Sequence, residues 1–161
     1  MTSQREKAET FRRLHAGPGA FIIPNPWDAG SARLLAALDF KALATTSFGL
    51  SNVLGRGDAR VTATEVLENC RAIAEATTLP VSVDLENGFA DDPRAAAAMV
   101  IRAPEAGAVG GSIEDATGRR ESPVYDFTLA VERVAAAVEA ARALTFHFTL
   151  PARAEHLHYR Q

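Results

Sequence analysis

The chain has 161 residues, 47% of them hydrophobic and 23% charged, which is enough apolar material for one folded domain and too much for a disordered chain. A net charge of -3, with the arginines scattered among acids, argues against a nucleic-acid-binding surface and leaves small molecules or other protein chains as partners. The single cysteine, Cys70, excludes an internal disulfide and fits a reducing compartment, so a cytoplasmic location is expected.

The opening MTSQREKAETFRRLHAG mixes both charge signs without a continuous apolar stretch, and so reads as an amphipathic helix rather than a signal peptide or membrane anchor. Residues 20–24 (AFIIP) form a short apolar run between Gly19 and Pro24, the pattern of a strand buried on both faces, and helical spacing follows over 29–38. A second run, 42–47 (ALATTS), ends in a small-residue loop. Thr62 and Glu65 then make a capping-box pattern for a helix reaching residue 77.

The alternation continues with a strand over 81–86 (VSVDLE) and a helix over 93–106, which Pro104 should kink or end early. A strand over 110–114 (GGSIE), a helix over 126–143 and a strand over 146–150 (FHFTL) complete the series, and Pro151 follows directly. The alanine-rich helices are too short or too interrupted by charge to span a bilayer, so no membrane partner is expected. Five βα-type units imply a parallel sheet with right-handed crossovers, either doubly wound or a barrel. No repeat, linker or charge block divides the chain, so 1–161 reads as one domain.

Chemistry is suggested by where the acids fall. Asp84 and Glu86 stand at the C-terminal end of the third run, and Glu114 and Asp115 at that of the fourth, the rim where parallel α/β folds bind ligands. Strand alternation would point Asp84 and Glu86 to the same side, with Glu114 converging from the neighbouring strand. Three carboxylates there repel one another unless a hard cation neutralises them, and Mg2+ suits a site of one or two direct carboxylates completed by water and substrate. Asp58, in the loop after the second run, is a candidate fourth acid. The competing reading has these acids capping helices or pairing with surface arginines.

The segments PNPWDAGSARLLAALDFKALATTSFGLS, VSVDLENGF and GGSIEDATG occur in the order and spacing of the isocitrate lyase and phosphoenolpyruvate mutase family, which the chain resembles over nearly its whole length. VSVDLENGF matches the family's D-x-D/E-x-G-F/Y element and SIED its acidic element on strand four. The resemblance implies a TIM-type (β/α) barrel, here partial with about five of eight units, in which Asp84 binds Mg2+ directly while Glu86, Glu114 and Asp58 hold its waters. It further implies a carbon–carbon lyase or hydrolase acting through an enolate on a small 2-oxo or 2-hydroxy dicarboxylate, and a homo-oligomer. Ser47 and Gly49 match the loop that cradles the substrate carboxylate, and Arg153 an arginine that clamps a substrate oxygen; Ser47 and Arg153 are the expected catalytic residues.

The chain departs from the family's lyases in the loop after strand four, where ATGRRESPVYD replaces a Lys-Cys-Gly-His element, so isocitrate-type cleavage by a cysteine acid–base is not expected. Arg119 and Arg120 in that loop could close over an anion or stay solvated. Phosphoryl chemistry on phosphoenolpyruvate or phosphonopyruvate is the alternative activity. An inactive fragment is the alternative from another class, since eight strands need roughly 250 residues and LPARAEHLHYRQ reads like a truncated or shifted ending. A nucleotide-binding sheet is disfavoured because NPWDAG lacks a phosphate-cradling glycine pattern. Asp28 could either support the site from behind or cap the next helix, Trp27 and Cys70 are expected as packing residues, and the His156/His158 pair is not expected to hold zinc.

Overall fold

The computed structural model describes residues 2–159. Helix α1 (Gln4–Ala16) starts at a capping box in which Ser3 and Glu6 satisfy each other's backbone N–H groups, and it buries Ala8 and Phe11. The expected first strand does not form. Residues 20–26 have no regular secondary structure, and only one ladder bond appears, from the Ala44 N–H to the Pro24 carbonyl at 3.1 Å. Pro24 and Pro26 have no N–H to continue it. Ile22 is 73% exposed while Phe21 and Ile23 pack inward, so the segment covers the core with one face only.

Helix α2 (Ala29–Ala37) is capped by Asp28, which answers the question raised for that residue. Strand β1 (Leu43–Ala44) is short because Thr46 caps a further helix, α3 (Ser47–Val53), where the sequence suggested a loop. Helix α4 (Ala63–Glu75) begins at the Thr62 and Glu65 capping box as expected. Strand β2 (Val81–Asp84) leads to α5 (Pro93–Arg102), which gives way at Pro104 to a 3-10 turn (Ala103–Ala106). Strand β3 (Gly110–Glu114) and helix α6 (Phe127–Arg142) fall where the pattern placed them.

The last strand is displaced. FHFTL is not regular strand; the pairing with β3 begins at Thr149, whose carbonyl accepts from the Gly111 N–H at 3.0 Å, and regular geometry is confined to β4 (Ala152–Arg153). Pro151 accepts from the Ile113 N–H at 3.2 Å but can donate nothing, which splits the strand. A short turn of helix, α7 (His156–Tyr159), follows.

The outcome is a parallel four-stranded sheet ordered β1-β2-β3-β4, rather than five strands, and it is open among the described residues. The register sets Asp84 beside Ser112 and Glu114 beside Arg153, so one sheet rim carries all three charged residues. Helix α5 packs on α6 and α4 on β2, closing apolar stripes over Val66, Ile73, Val83, Val100 and Ile113. Cys70 lies in this core, its Sγ 3.7 Å from the Ala106 carbonyl, and burial pushes its thiol up to about 12, in line with a packing role. At the other end of the strands α1 forms a plug: Phe11 packs with Ala42 and Val109, and the Gln4 amide donates to the Pro104 and Ala108 carbonyls. Among the described residues no helix is long and apolar enough to cross a membrane.

Candidate active site

At the C-terminal ends of the strands lies a cleft of about 650 Å³ whose wall includes Ser47, Asp58, Asp84, Glu86, Glu114 and Arg153. Asp84, the last residue of β2, is held on three sides. Its backbone N–H donates to the Thr45 hydroxyl at 2.9 Å, its Oδ2 accepts from the Ser47 N–H at 3.0 Å, and its Oδ1 accepts from the Glu86 N–H at 3.2 Å. The start of α3 thus serves as a brace for this carboxylate.

Glu86 reaches the cluster by a route alternation does not describe. Strand β2 ends at Asp84, and Glu86 sits in the following turn with φ +47°, a left-handed conformation costly for a residue with a side chain. The Glu114 N–H donates to its carbonyl at 2.9 Å and so ties the turn to β3. Its Oε1 is buried and has no hydrogen-bond partner. Burial first, then the charges of Asp84 and Asp58, push the Glu86 carboxyl up to about 7, while a hydrogen bond from Ser47 opposes. Glu114 is likewise pushed up to about 7 by burial, with Arg153 opposing and Asp84, Glu155 and Glu86 adding to the rise.

Arg153 projects into this group from β4. Its guanidinium lies 3.2 Å from Glu114 Oε2, 3.9 Å from Asp84 Oδ1 and 2.6 Å from Glu155 Oε1. Asp58 is exposed on the rim and accepts from the Ala59 N–H. Gly49 is not in the cleft wall: its N–H donates to the Thr46 hydroxyl as part of the α3 cap, and a Cβ there would fall 2.4 Å from the Trp27 ring. His158 lines the cleft, whereas the side chain of His156 lies outside the described residues.

Among the described residues, no three His, Cys, Asp or Glu side chains are arranged to hold one ion directly. The donor set nevertheless fits Mg2+: oxygens only, one well-braced carboxylate, an orphaned buried oxygen on Glu86, and Glu114 and Asp58 in the same cleft wall.

Sequence reasoning missed a second layer behind this wall. The Tyr125 hydroxyl donates to Asp91 Oδ1 at 2.6 Å and accepts from the Asn87 amide at 3.0 Å, and Arg119 spans both Asp91 oxygens at 2.9 and 2.8 Å. Arg119 is therefore engaged with Asp91 at the mouth of the cleft. The polar run NGFADD directly after a buried strand was the available signal, but its partners lie more than 25 residues downstream.

The raised carboxyls set a pH dependence. Between pH 4.5, where an unfolded glutamate ionises, and about 7, the folded chain holds protons the unfolded chain has released, so stability contributed by Glu86 and Glu114 falls as pH rises through that window. In metal-free protein Glu86→Gln should therefore raise Tm relative to wild type at pH 7.5 and lose that advantage by pH 5. Calorimetry showing the same difference at both pH values would contradict this account.

A family model described as phosphoenolpyruvate phosphomutase matches residues 11–161. A crystal structure of a protein from Burkholderia cenocepacia J2315, assigned to the lyase/mutase class, superposes with a TM-score of 0.95 at 56% identity, over 98% of this chain and 57% of that one. Oxaloacetate acetylhydrolase, solved with its product oxalate, superposes with a TM-score of 0.84 at 27% identity, over 94% of this chain and 54% of its own. A 2-methylisocitrate lyase of Halalkalibacterium halodurans is 35% identical over 88 residues, covering 54% of this chain and 29% of the lyase. The chain spans about half the length (47%) of the first curated relatives it matches.

Proposed function

Because the chain belongs to the isocitrate lyase and phosphoenolpyruvate mutase family, whose similar members include lyases and hydrolases, we propose that it carries the Mg2+ and substrate half of a carbon–carbon lyase or hydrolase for a small 2-oxo or 2-hydroxy dicarboxylate. The open parallel sheet is then the leading part of a TIM-type barrel. The observation that carries this reading is the convergence of Asp84, Glu86 and Glu114 on one cleft, with a buried Glu86 oxygen left unpartnered.

In this reading Asp84 holds Mg2+ directly, and Glu86, Glu114 and Asp58 hold its waters. The ion supplies Lewis-acid stabilisation of negative charge at a carbonyl oxygen. The chain's own residues do the rest. The Ser47 and Glu86 N–H groups fix both oxygens of Asp84, so the carboxylate does not swing when substrate arrives. Arg153, half-exposed at the cleft wall, offers a planar two-pronged donor to a substrate carboxylate, in exchange for its contacts with Glu114 and Glu155. The Ser47 hydroxyl stands beside the same site. No cysteine or histidine occurs over 116–126, so proton transfer by a cysteine of that loop has no part here.

Thermal unfolding with Mg2+ and oxalate tests this proposal. At a hundredfold excess over Kd, linkage gives about 2.7 kcal/mol, a rise of several degrees for a chain of this size. Greater stabilisation by phosphonopyruvate than by oxalate would move the assignment to phosphoryl chemistry. Cooperative unfolding indifferent to Mg2+ and to both ligands would remove the proposal.

A further inference from the structure

Arg133 lies in the middle of α6 and is 1% exposed, although its face of the helix is otherwise apolar with Ala137 and Ala141. A guanidinium buried this deeply is costly unless its donors are satisfied. Its two terminal nitrogens find backbone carbonyls of one loop, Nη1 donating to Ala90 and Asp91 and Nη2 to Asn87, while Nε is buried without a partner. The Tyr125 ring covers its other side, with the guanidinium carbon 4.1 Å from the ring centroid.

The loop so held is the one that aims Glu86. It contains two non-glycine residues in the left-handed region, Glu86 at φ +47° and Phe89 at φ +58°, flanking Gly88 at +72°. Conformations of this kind persist only when the surroundings over-determine them. Within the loop the Gly88 N–H reaches the Leu85 carbonyl at 2.8 Å and the Phe89 N–H the Asn87 side chain at 2.9 Å, yet neither of these local bonds uses the carbonyls of 87, 90 and 91. Arg133 gathers all three. The Asn87 amide, bound to the Tyr125 hydroxyl, fixes the residue next to Glu86 from a second direction.

We propose that Arg133 is a positioning residue for the candidate metal site: by fastening three carbonyls of the 87–91 loop it holds Glu86 in its left-handed conformation and keeps the Glu86 carboxylate aimed into the cleft. Its relevance to Mg2+ rests on the proposed function, but its effect on the loop does not. A lysine at this place has the charge and the donors but not the fork, and cannot span three carbonyls on one planar group.

The test uses the full chain with Arg133→Lys and Arg133→Met, read by hydrogen exchange resolved by peptide and by Mg2+ titration calorimetry. Exchange of the amides over 86–91 should quicken about tenfold in Arg133→Met and less in Arg133→Lys, with α4 and the strands unchanged, and Mg2+ should bind about tenfold more weakly, the size expected for a residue that orients a ligand. Faster exchange spread evenly over α5, α6 and the sheet would show a packing role only and overturn the assignment, as would unchanged exchange over 86–91. If Arg133→Met does not fold, Arg133→Lys decides on the same criteria. A wild-type chain that ignores Mg2+ while the variants loosen 86–91 alone would sink the proposed function and leave the positioning role standing.

Discussion

Asp84→Asn abolishes the rise in Tm produced by Mg2+, while changing the stability of metal-free protein by only about 1–2 kcal/mol in either direction. The asymmetry follows from the two jobs of this carboxylate. Without metal it accepts from the Ser47 and Glu86 N–H groups at 3.0 and 3.2 Å, and asparagine has one oxygen for these two donors, so one charge-assisted hydrogen bond is lost. Against that loss, a negative charge leaves a cluster in which it raises both Glu86 and Glu114, and that relief is a gain. With metal no such offset exists, because the amide oxygen is a weak substitute for the best-braced anionic donor in the cleft. Calorimetric titration of Mg2+ into both proteins is the check. Binding by the variant within a few-fold of wild type would mean that Asp84 is not a direct ligand.

What could be read from the sequence divides along a physical line. Elements closed by local signals came out in place: the Thr62 and Glu65 capping box and Pro104 ending α5 involve residues within four positions of each other. Strands at the ends of the sheet did not. Residues 20–24 and 146–150 have the apolar content of buried strands, but pairing depends on which N–H groups exist, and Pro24, Pro26 and Pro151 remove them at the points where a ladder would run. Apolar runs report burial, and burial alone does not make a strand.

The site shows the same division. Asp84 and Glu114 were legible because each ends a strand, and parallel register brings strand ends together. Glu86 joined them for a different reason than alternation, through a left-handed turn that no residue-type pattern announces. Gly49, matched by resemblance to a substrate-cradling loop, has its N–H engaged in the Thr46 cap. Arg133 left one faint trace, a charge on the apolar stripe of α6 in register with Ala137 and Ala141. Its partners lie more than 40 residues upstream, and only the fold joins them.

Gly88→Ala should destabilise the chain by about 2–5 kcal/mol, the sum of about 1–2 for a side chain in the left-handed region and about 1–3 for overpacking. Gly88 has φ +72°, and a Cβ there would stand 2.8 Å from Ala96 Cβ and 2.9 Å from both Cα and the carbonyl oxygen of Ala96. Two of those atoms belong to the backbone of α5, which packs against α6 and cannot yield like the end of a flexible side chain. The loop must move instead, and Glu86 lies two residues away, so weaker Mg2+ binding should accompany the loss of stability. Gly118→Ala supplies the control: φ is +71° there, but nothing lies within 4 Å of the new Cβ, so only the conformational cost of about 1–2 kcal/mol remains. Denaturant unfolding of the two variants separates strain from collision. Equal losses would mean that the helix accommodates the methyl group and that the close approach of the 86–91 turn to α5 does not restrain Glu86.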